Sequence, residues 1–375
     1  MRTTKPSLTA SPVRRAVLKA VAGAALAAGV AISPAALAQD DEPLKVGFVY
    51  VGPIGDFGWT YRHDVGRLAI EEHFGDAVET TFVESVPEGA DAERVIRNLA
   101  SDGHDLIFTT SFGYMNPTVK VARDFPDVRF EHATGYKRAD NVATYSARFY
   151  EGRAVIGTMA GMMTETDTVG YIASFPIPEV VRGINAFTAA MRKVNPDAET
   201  KVVWVNTWYD PGKEADAART LLDQGVDIIT QHTDSPAPLQ VAQERGALGF
   251  GQASDMSEFA PEAQLTSIID DWNPYYIERV QAVIDGTWTS EDTWQGIDDG
   301  MVAFPEGYGP NVPEDVAAAA ENVKEAIVAG DMHPFEGPLR NQAGEEVVAE
   351  GETLDDEALL GMDYYLEGVQ GQLPQ

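Results

Sequence analysis

The sequence predicts an α/β protein of two similar lobes, each a doubly wound parallel sheet with helices on both faces. Three observations carry this. Short continuous apolar runs recur, such as KVGFVYV (45–51), DLIFTTS (105–111) and TVGYIAS (168–174), as suits strands buried on both sides. Segments with helical spacing of apolar residues separate them. The rhythm restarts after Glu151, so one layering is used twice.

Taken in order, KVGFVYV leads into a helix over 58–74, with Tyr61, Val65, Leu68 and Ala69 along one face. ETTFVESV (79–86) is strand-like, 91–101 is helical and DLIFTTS is a buried strand. A further helix leads to the strands RFEHAT (129–134) and VATYSA (142–147). Past Glu151, a helix over 151–165 precedes TVGYIAS, and a helix carrying Val181, Ile184, Phe187 and Met191 follows it. KVVWVNT (201–207), DIITQHT (227–233) and ALGFGQA (247–253) are strands, separated by helices over 213–224 and 236–245. LTSIID (265–270) reads as a strand returning toward the first lobe, followed by a helix over 274–285. The remainder is rich in Gly, Pro, Asp and Glu: a short strand near 301–304, a helix near 314–328 and an irregular tail. The lobes therefore fall at 39–150 plus about 270–302, and at 151–269 plus about 303–375, with hinges near 148–151, 268–273 and 300–305.

Residues 1–38 stand outside this pattern. Arg14 and Arg15 precede an alanine-rich apolar run that ends in Ala36-Leu37-Ala38, a small-x-small cleavage site. This is the pattern of a twin-arginine secretory signal, cleaved after Ala38 to release the protein into the periplasm. The absence of cysteine excludes disulfides, thiolate metal sites and a lipid-modified cysteine at the cleavage point, so no membrane anchor is expected. The signal holds five basic residues and no acid, which leaves 22 basic against 59 acidic residues, a net −37. Such a surface repels nucleic acid and anionic membranes.

Ligands of open α/β sheets bind at the carboxyl ends of the strands. The turns there hold Asp56 and Trp59; Phe112, Tyr114 and Asn116; Phe175; Trp208, Tyr209 and Asp210; Asp234; and Ser254 and Asp255. Gly52, Gly55 and Gly58 form neither G-x-G-x-x-G nor G-K-[ST], and Asp56 would repel a phosphate. The six histidines lack the spacing of metal ligands, and no G-x-S-x-G elbow is present. Asp56 paired with Asp255 or Asp210 would suit acid–base work, but acids at loop starts more often cap helices. Trp59 and Trp208 follow strands of different lobes, and two flat rings so placed would sandwich a flat ligand.

These segments together resemble the basic membrane protein (BMP, or Med) family of ABC-transporter substrate-binding proteins, the purine nucleoside receptor group. The carrying stretches are KVGFVYVGPIGDFGWTYRHDVGR, DLIFTTSFGYMNPTVKVARDFPDVRFEHATG, TVGYIASFPIPEVVRGINAFTAAMRKVNP, VNTWYDPGKEADAARTLLDQGVDIITQHTDSPAPLQVAQERG and GFGQASDM. The resemblance implies a type I periplasmic binding protein: two lobes joined by three crossovers, closing on a purine compound that is handed to a membrane permease and ATPase. It implies stacking by Trp59 and Trp208, a polar role for Asp56 and Asn116, and a match of Asp255 to the second acid of G-x-D-x-D-Q. Two positions depart from the family. Ala253 stands where an aspartate holds the ribose hydroxyls, and Asp270 where a lysine lies near the ribose. Hydroxyls without buried partners cost ~1–3 kcal/mol each, so a free base such as adenine is expected over a nucleoside. The expected ligand-binding residues are Asp56, Trp59, Phe112, Asn116, Phe175, Trp208, Asp255 and Asp270. No cofactor, no metal and a monomer are expected.

Overall fold

The computed structural model describes residues 42–374, so the expected signal lies outside the described residues. The first sheet is built by β1 (Leu44–Val49), α1 (Trp59–Phe74), β2 (Val78–Val83), α2 (Ala90–Ser101), β3 (Leu106–Thr109), α3 (Met115–Ala122), β4 (Arg129–Ala133) and β5 (Val142–Ala147). The chain then crosses at Arg148 into α4 (Phe149–Met163), β6 (Thr168–Ala173), α5 (Pro178–Val194), β7 (Glu199–Trp204) and α6 (Pro211–Asp223). β8 (Ile228–His232), α7 (Ala237–Glu244), β9 (Leu248–Gly251) and β10 (Gln264–Ser267) follow. After β11 (Ile269–Asp270) it returns through α8 (Asn273–Ile284) and β12 (Asp292–Gln295), then leaves again by β13 (Val302–Ala303) to α9 (Glu314–Val328). The tail holds β14 (Leu339–Arg340), β15 (Glu346–Val348), α10 (Asp356–Leu360) and β16 (Val369–Gln370).

The two large sheets are wholly parallel. Their orders are β12-β5-β4-β3-β1-β2 and β10-β9-β8-β6-β7-β16. This is a doubly wound order in each, with switch points between β1 and β3 and between β6 and β8. β3 and β8 are buried along their length, and β1 from Val46 on, which is why they read as apolar runs without alternation. The chain passes between the sheets three times.

The second lobe rests on α4 against α5. Gly157 and Gly161 let the helices approach so closely that a side chain there would fall on the Phe187 and Met191 carbonyls. In the first lobe, α8 is pinned to the sheet by a buried charge cluster. Glu131, fully buried, accepts from Arg279 Nε at 2.5 Å, Tyr275 OH at 2.7 Å and Trp288 Nε1 at 2.7 Å.

Three expectations change. LTSIID is not one returning strand: Gln264–Ser267 pairs with β9 as an edge of the second sheet, and only Ile269–Asp270 turns away, into an antiparallel ribbon with Val302–Ala303. β12 supplies an unexpected edge to the first sheet, in a polar stretch (DTWQ) without strand patterning. The tail is ordered, and β16 pairs with β7.

Candidate binding site

The two switch points face one another across a cleft. The loop from β1 to α1 is set by Asp56, which is fully buried and accepts from the backbone N–H groups of Gly58 (2.9 Å), Thr60 (3.0 Å) and Tyr61 (2.9 Å). It satisfies the free donors at the start of α1. Burial nonetheless lifts its carboxyl to about 6. This cap fixes Trp59 as the first helical residue. The Trp59 indole donates to the Thr110 carbonyl (2.6 Å) and packs edge-on against His63 (4.4 Å) and Trp272 (5.5 Å).

The lobes are in contact. The Trp59 amide meets Asp234 Oδ1 at 3.4 Å, Arg62 Nε donates to the Asp270 carbonyl at 2.6 Å, and the rings of Phe57 and Phe259 lie 4.6 Å apart. Ser254 Oγ also donates to the Phe57 carbonyl. Between them, a pocket whose roughly 380 Å³ of non-atom space includes open solvent is lined by Val51, Trp59, Ser111, Phe112, Thr134, Glu179, Trp208, His232, Asp234 and Gln252. Trp59 and Phe112 come from the first lobe and Trp208 from the second.

The polar wall comes from the second lobe. Asp234 is 6% exposed, and its Oδ2 has no hydrogen-bond partner among the described residues. Burial raises its pKa well above the carboxylate range, helped by the charges of Asp56, Glu214 and Asp270. His232 Nε2 lies 3.5 Å from Glu179 Oε1, and burial lowers its pKa, so the ring is neutral and its Nδ1 is unpartnered. Gln252 Oε1 accepts from Arg153, which leaves its amide NH₂ as the free end. Flat apolar faces are thus flanked by two carboxyl groups, Asp234, which can accept or, holding its proton, donate, and Glu179, and by the Gln252 amide donor, groups that suit the mixed donor and acceptor edge of a nitrogen heterocycle.

Of the expected site residues, Trp59, Phe112 and Trp208 line this cavity. Phe175 packs on Trp208 with ring centres 5.0 Å apart and borders a neighbouring opening. Asp56 is occupied as a helix cap. Asn116 is exposed on α3 and accepts from Lys137 Nζ (2.8 Å); Asp255 is exposed and accepts from the Ser257 amide (3.0 Å) and Gln264 Nε2 (2.8 Å). These three carboxylate or amide groups are engaged by their own surroundings and do not line the cavity. Asp270 is fully buried in the hinge ribbon with neither carboxylate oxygen partnered. Its amide donates to the Ala253 carbonyl (2.8 Å), so the two positions that depart from the family pattern touch. Glu179, His232 and Gln252 escaped the sequence reading. His232 and Gln252 sit at the ends of buried strands with no motif of their own, whereas Asp234 lies in a turn already singled out. Among the described residues no cluster suited to a metal ion is found, and no helix is long and apolar enough to cross a membrane.

A family model described as Bmp, ABC transporter substrate-binding protein PnrA-like, matches residues 44–330. The chain belongs to the Bmp family. It is 58% identical over 338 residues to a purine-binding protein of Brucella abortus, covering 90% of this chain and 96% of that one. It is 39% identical over 336 residues to a putative ABC transporter glucose-binding protein of Haloferax volcanii, covering 90% and 83%. A solved ABC transporter solute-binding protein of Aeropyrum pernix shares the fold, with TM-score 0.68 at 20% identity over 81% of this chain and 95% of that one. This Bmp protein is therefore an ABC-transporter substrate-binding protein of the type I periplasmic class, not an enzyme. Such proteins deliver their ligand to a permease and ATPase complex, and the family is typically exported.

Proposed function

We propose that this protein is a periplasmic receptor that captures a free purine base, adenine foremost, and hands it to an ABC importer. The observation that carries the reading is the cavity between Trp59 and Trp208, with the buried, unpartnered Oδ2 of Asp234 on its wall. Two indoles supply stacking faces for a planar ring. Asp234 and Glu179 accept from an exocyclic amine or ring N–H, and the Gln252 amide donates to a ring nitrogen. The similarity to a protein named for purine binding supports the ligand class.

The base is favoured over the nucleoside by the sugar side. Ala253 offers no polar group, and Asp270, in backbone contact with it, is sealed in the hinge outside the cavity lining. A ribose diol placed there loses hydrogen bonds at ~1–3 kcal/mol each. Isothermal titration of ligand-stripped protein with adenine, hypoxanthine, adenosine, inosine and glucose tests this. Adenine binding at least tenfold tighter than adenosine is expected. Tight binding of adenosine or inosine without binding of free bases overturns it, as does preferential binding of glucose.

A further inference from the structure

We propose that Glu88 positions Trp208 and latches the closed cleft, so that it governs how long the ligand stays bound. The proposal rests on the reading of the Trp59–Trp208 cavity as the ligand site. Glu88 lies in the first lobe, between β2 and α2, and neither lines the cavity nor belongs to any motif noted in the sequence. One of its oxygens, Oε1, gathers three donors. Ser111 Oγ donates at 2.5 Å and the Gly113 amide at 3.0 Å, both from the segment that follows β3 in the same lobe. The third donor is the indole Nε1 of Trp208, at 3.3 Å, from the other lobe.

The arrangement divides the work. Ser111 and Gly113 hold the carboxylate within one lobe, whatever the other lobe does. Gly113 leaves room for this seat: a β-carbon there would overlap the Glu88 carboxylate and displace it. Trp208 reaches this fixed acceptor only when the lobes meet. Its backbone is tied to the site as well: the Trp208 carbonyl accepts from the Asp234 amide at 3.1 Å. The ring itself leans on Phe175. An indole ring free to rotate would sweep the cavity; the Glu88 contact selects the rotamer that presents its face as a wall. A hydrogen bond to a charged acceptor is stronger than a neutral one, but Glu88 is exposed and the contact is long, so a modest effect follows. Ligand escape requires this bond to break, while capture by the open form does not use it. The effect therefore falls on dissociation.

The test is a double-mutant cycle read by stopped-flow adenine dissociation. Glu88→Ala is expected to speed dissociation by about three- to tenfold, with association little changed. Trp208→Phe keeps a stacking ring and removes the indole donor. In that background Glu88→Ala should change dissociation less than about twofold, because the bond it breaks is already gone. An equal acceleration in both backgrounds would mean that Glu88 acts only by holding Ser111 and Gly113, and would overturn the latch. No acceleration in either would overturn it too. A second readout does not depend on the ligand. In the isolated protein held at saturating crosslinked closure, through cysteines introduced at Phe57 and Phe259, the indole ¹H–¹⁵N resonance of Trp208 should move on Glu88→Ala. An unmoved resonance overturns the latch; a moved resonance with no adenine binding by the parent protein overturns the ligand assignment alone.

Discussion

Asp270→Asn should stabilise the ligand-free protein near neutral pH and do nothing in acid. Asp270 is fully buried in the hinge ribbon, and no group hydrogen-bonds to either oxygen among the described residues. Burial lifts its carboxyl from 3.8 to about 8; Arg62 and Arg153 oppose the rise and Glu179 adds to it. A group that holds its proton more tightly folded than unfolded contributes stability that is whole below the unfolded value. That stability is lost as pH climbs toward the folded one. Each pH unit between 3.8 and about 8 removes about 1.4 kcal/mol, so at pH 7 the loss is about 4 kcal/mol as an upper limit. Relaxation and water entry reduce this. Asparagine has the same shape and no charge to bury. Urea unfolding of ligand-stripped parent and variant across pH 4–8 reads the difference; loss of the Asp270 charge also relieves Asp234, whose pKa that charge helps raise, so it adds to the gain in the same direction. The variant should gain about 2–4 kcal/mol at pH 7, and the gap should close at pH 4. A variant less stable than the parent at pH 7, or a gap independent of pH, refutes the reasoning.

Other perturbations separate binding from stability. Trp59→Ala removes one stacking face and should weaken adenine binding by about 1–3 kcal/mol in titration calorimetry; unchanged affinity would contradict a stacking role. Gly58→Ala would place a β-carbon 2.5 Å from the Asp234 carbonyl across the cleft, so it should impede closure and weaken binding more than about tenfold. Its melting temperature without ligand should stay near that of the parent. Arg279→Ala strands the buried Glu131 carboxylate and should cost about 3–5 kcal/mol in denaturant unfolding while leaving the adenine affinity of the folded protein intact.

The layering of both lobes was legible because parallel strands buried on two faces leave continuous apolar runs, as in Leu106–Thr109 and Ile228–His232. Edge strands left no such trace. DTWQ pairs through its backbone with β5 while its side chains stay partly wet, and Val369–Gln370 is too short to show a period. The strand at 265–270 was misread for a related reason: the apolar run LTSIID continues through Ile268, where the chain leaves one sheet and starts another ribbon. At the site, the tryptophans stood out because large rings are rarely placed in glycine-rich turns. The acids could not be sorted by type or by position after a strand. Asp56 and Asp234 both lie in turns at the carboxyl ends of strands, yet three backbone donors occupy the first, while the second keeps an oxygen bare in the cavity. The donors of Asp56 lie only two to five residues on, but whether a turn aims them at the carboxylate depends on backbone conformation that residue spacing does not encode.

The proposed function stands on a free base lying between Trp59 and Trp208 with its edge on Asp234. A crystal structure of ligand-stripped protein soaked with an equimolar mixture of adenine and adenosine tests it most directly. Density for adenine alone is expected, stacked between the two indoles, with an amine or ring N–H on Asp234 Oδ2. A nucleoside with its ribose on Ala253 and Asp270, or a base bound away from Trp59 and Trp208, would contradict it.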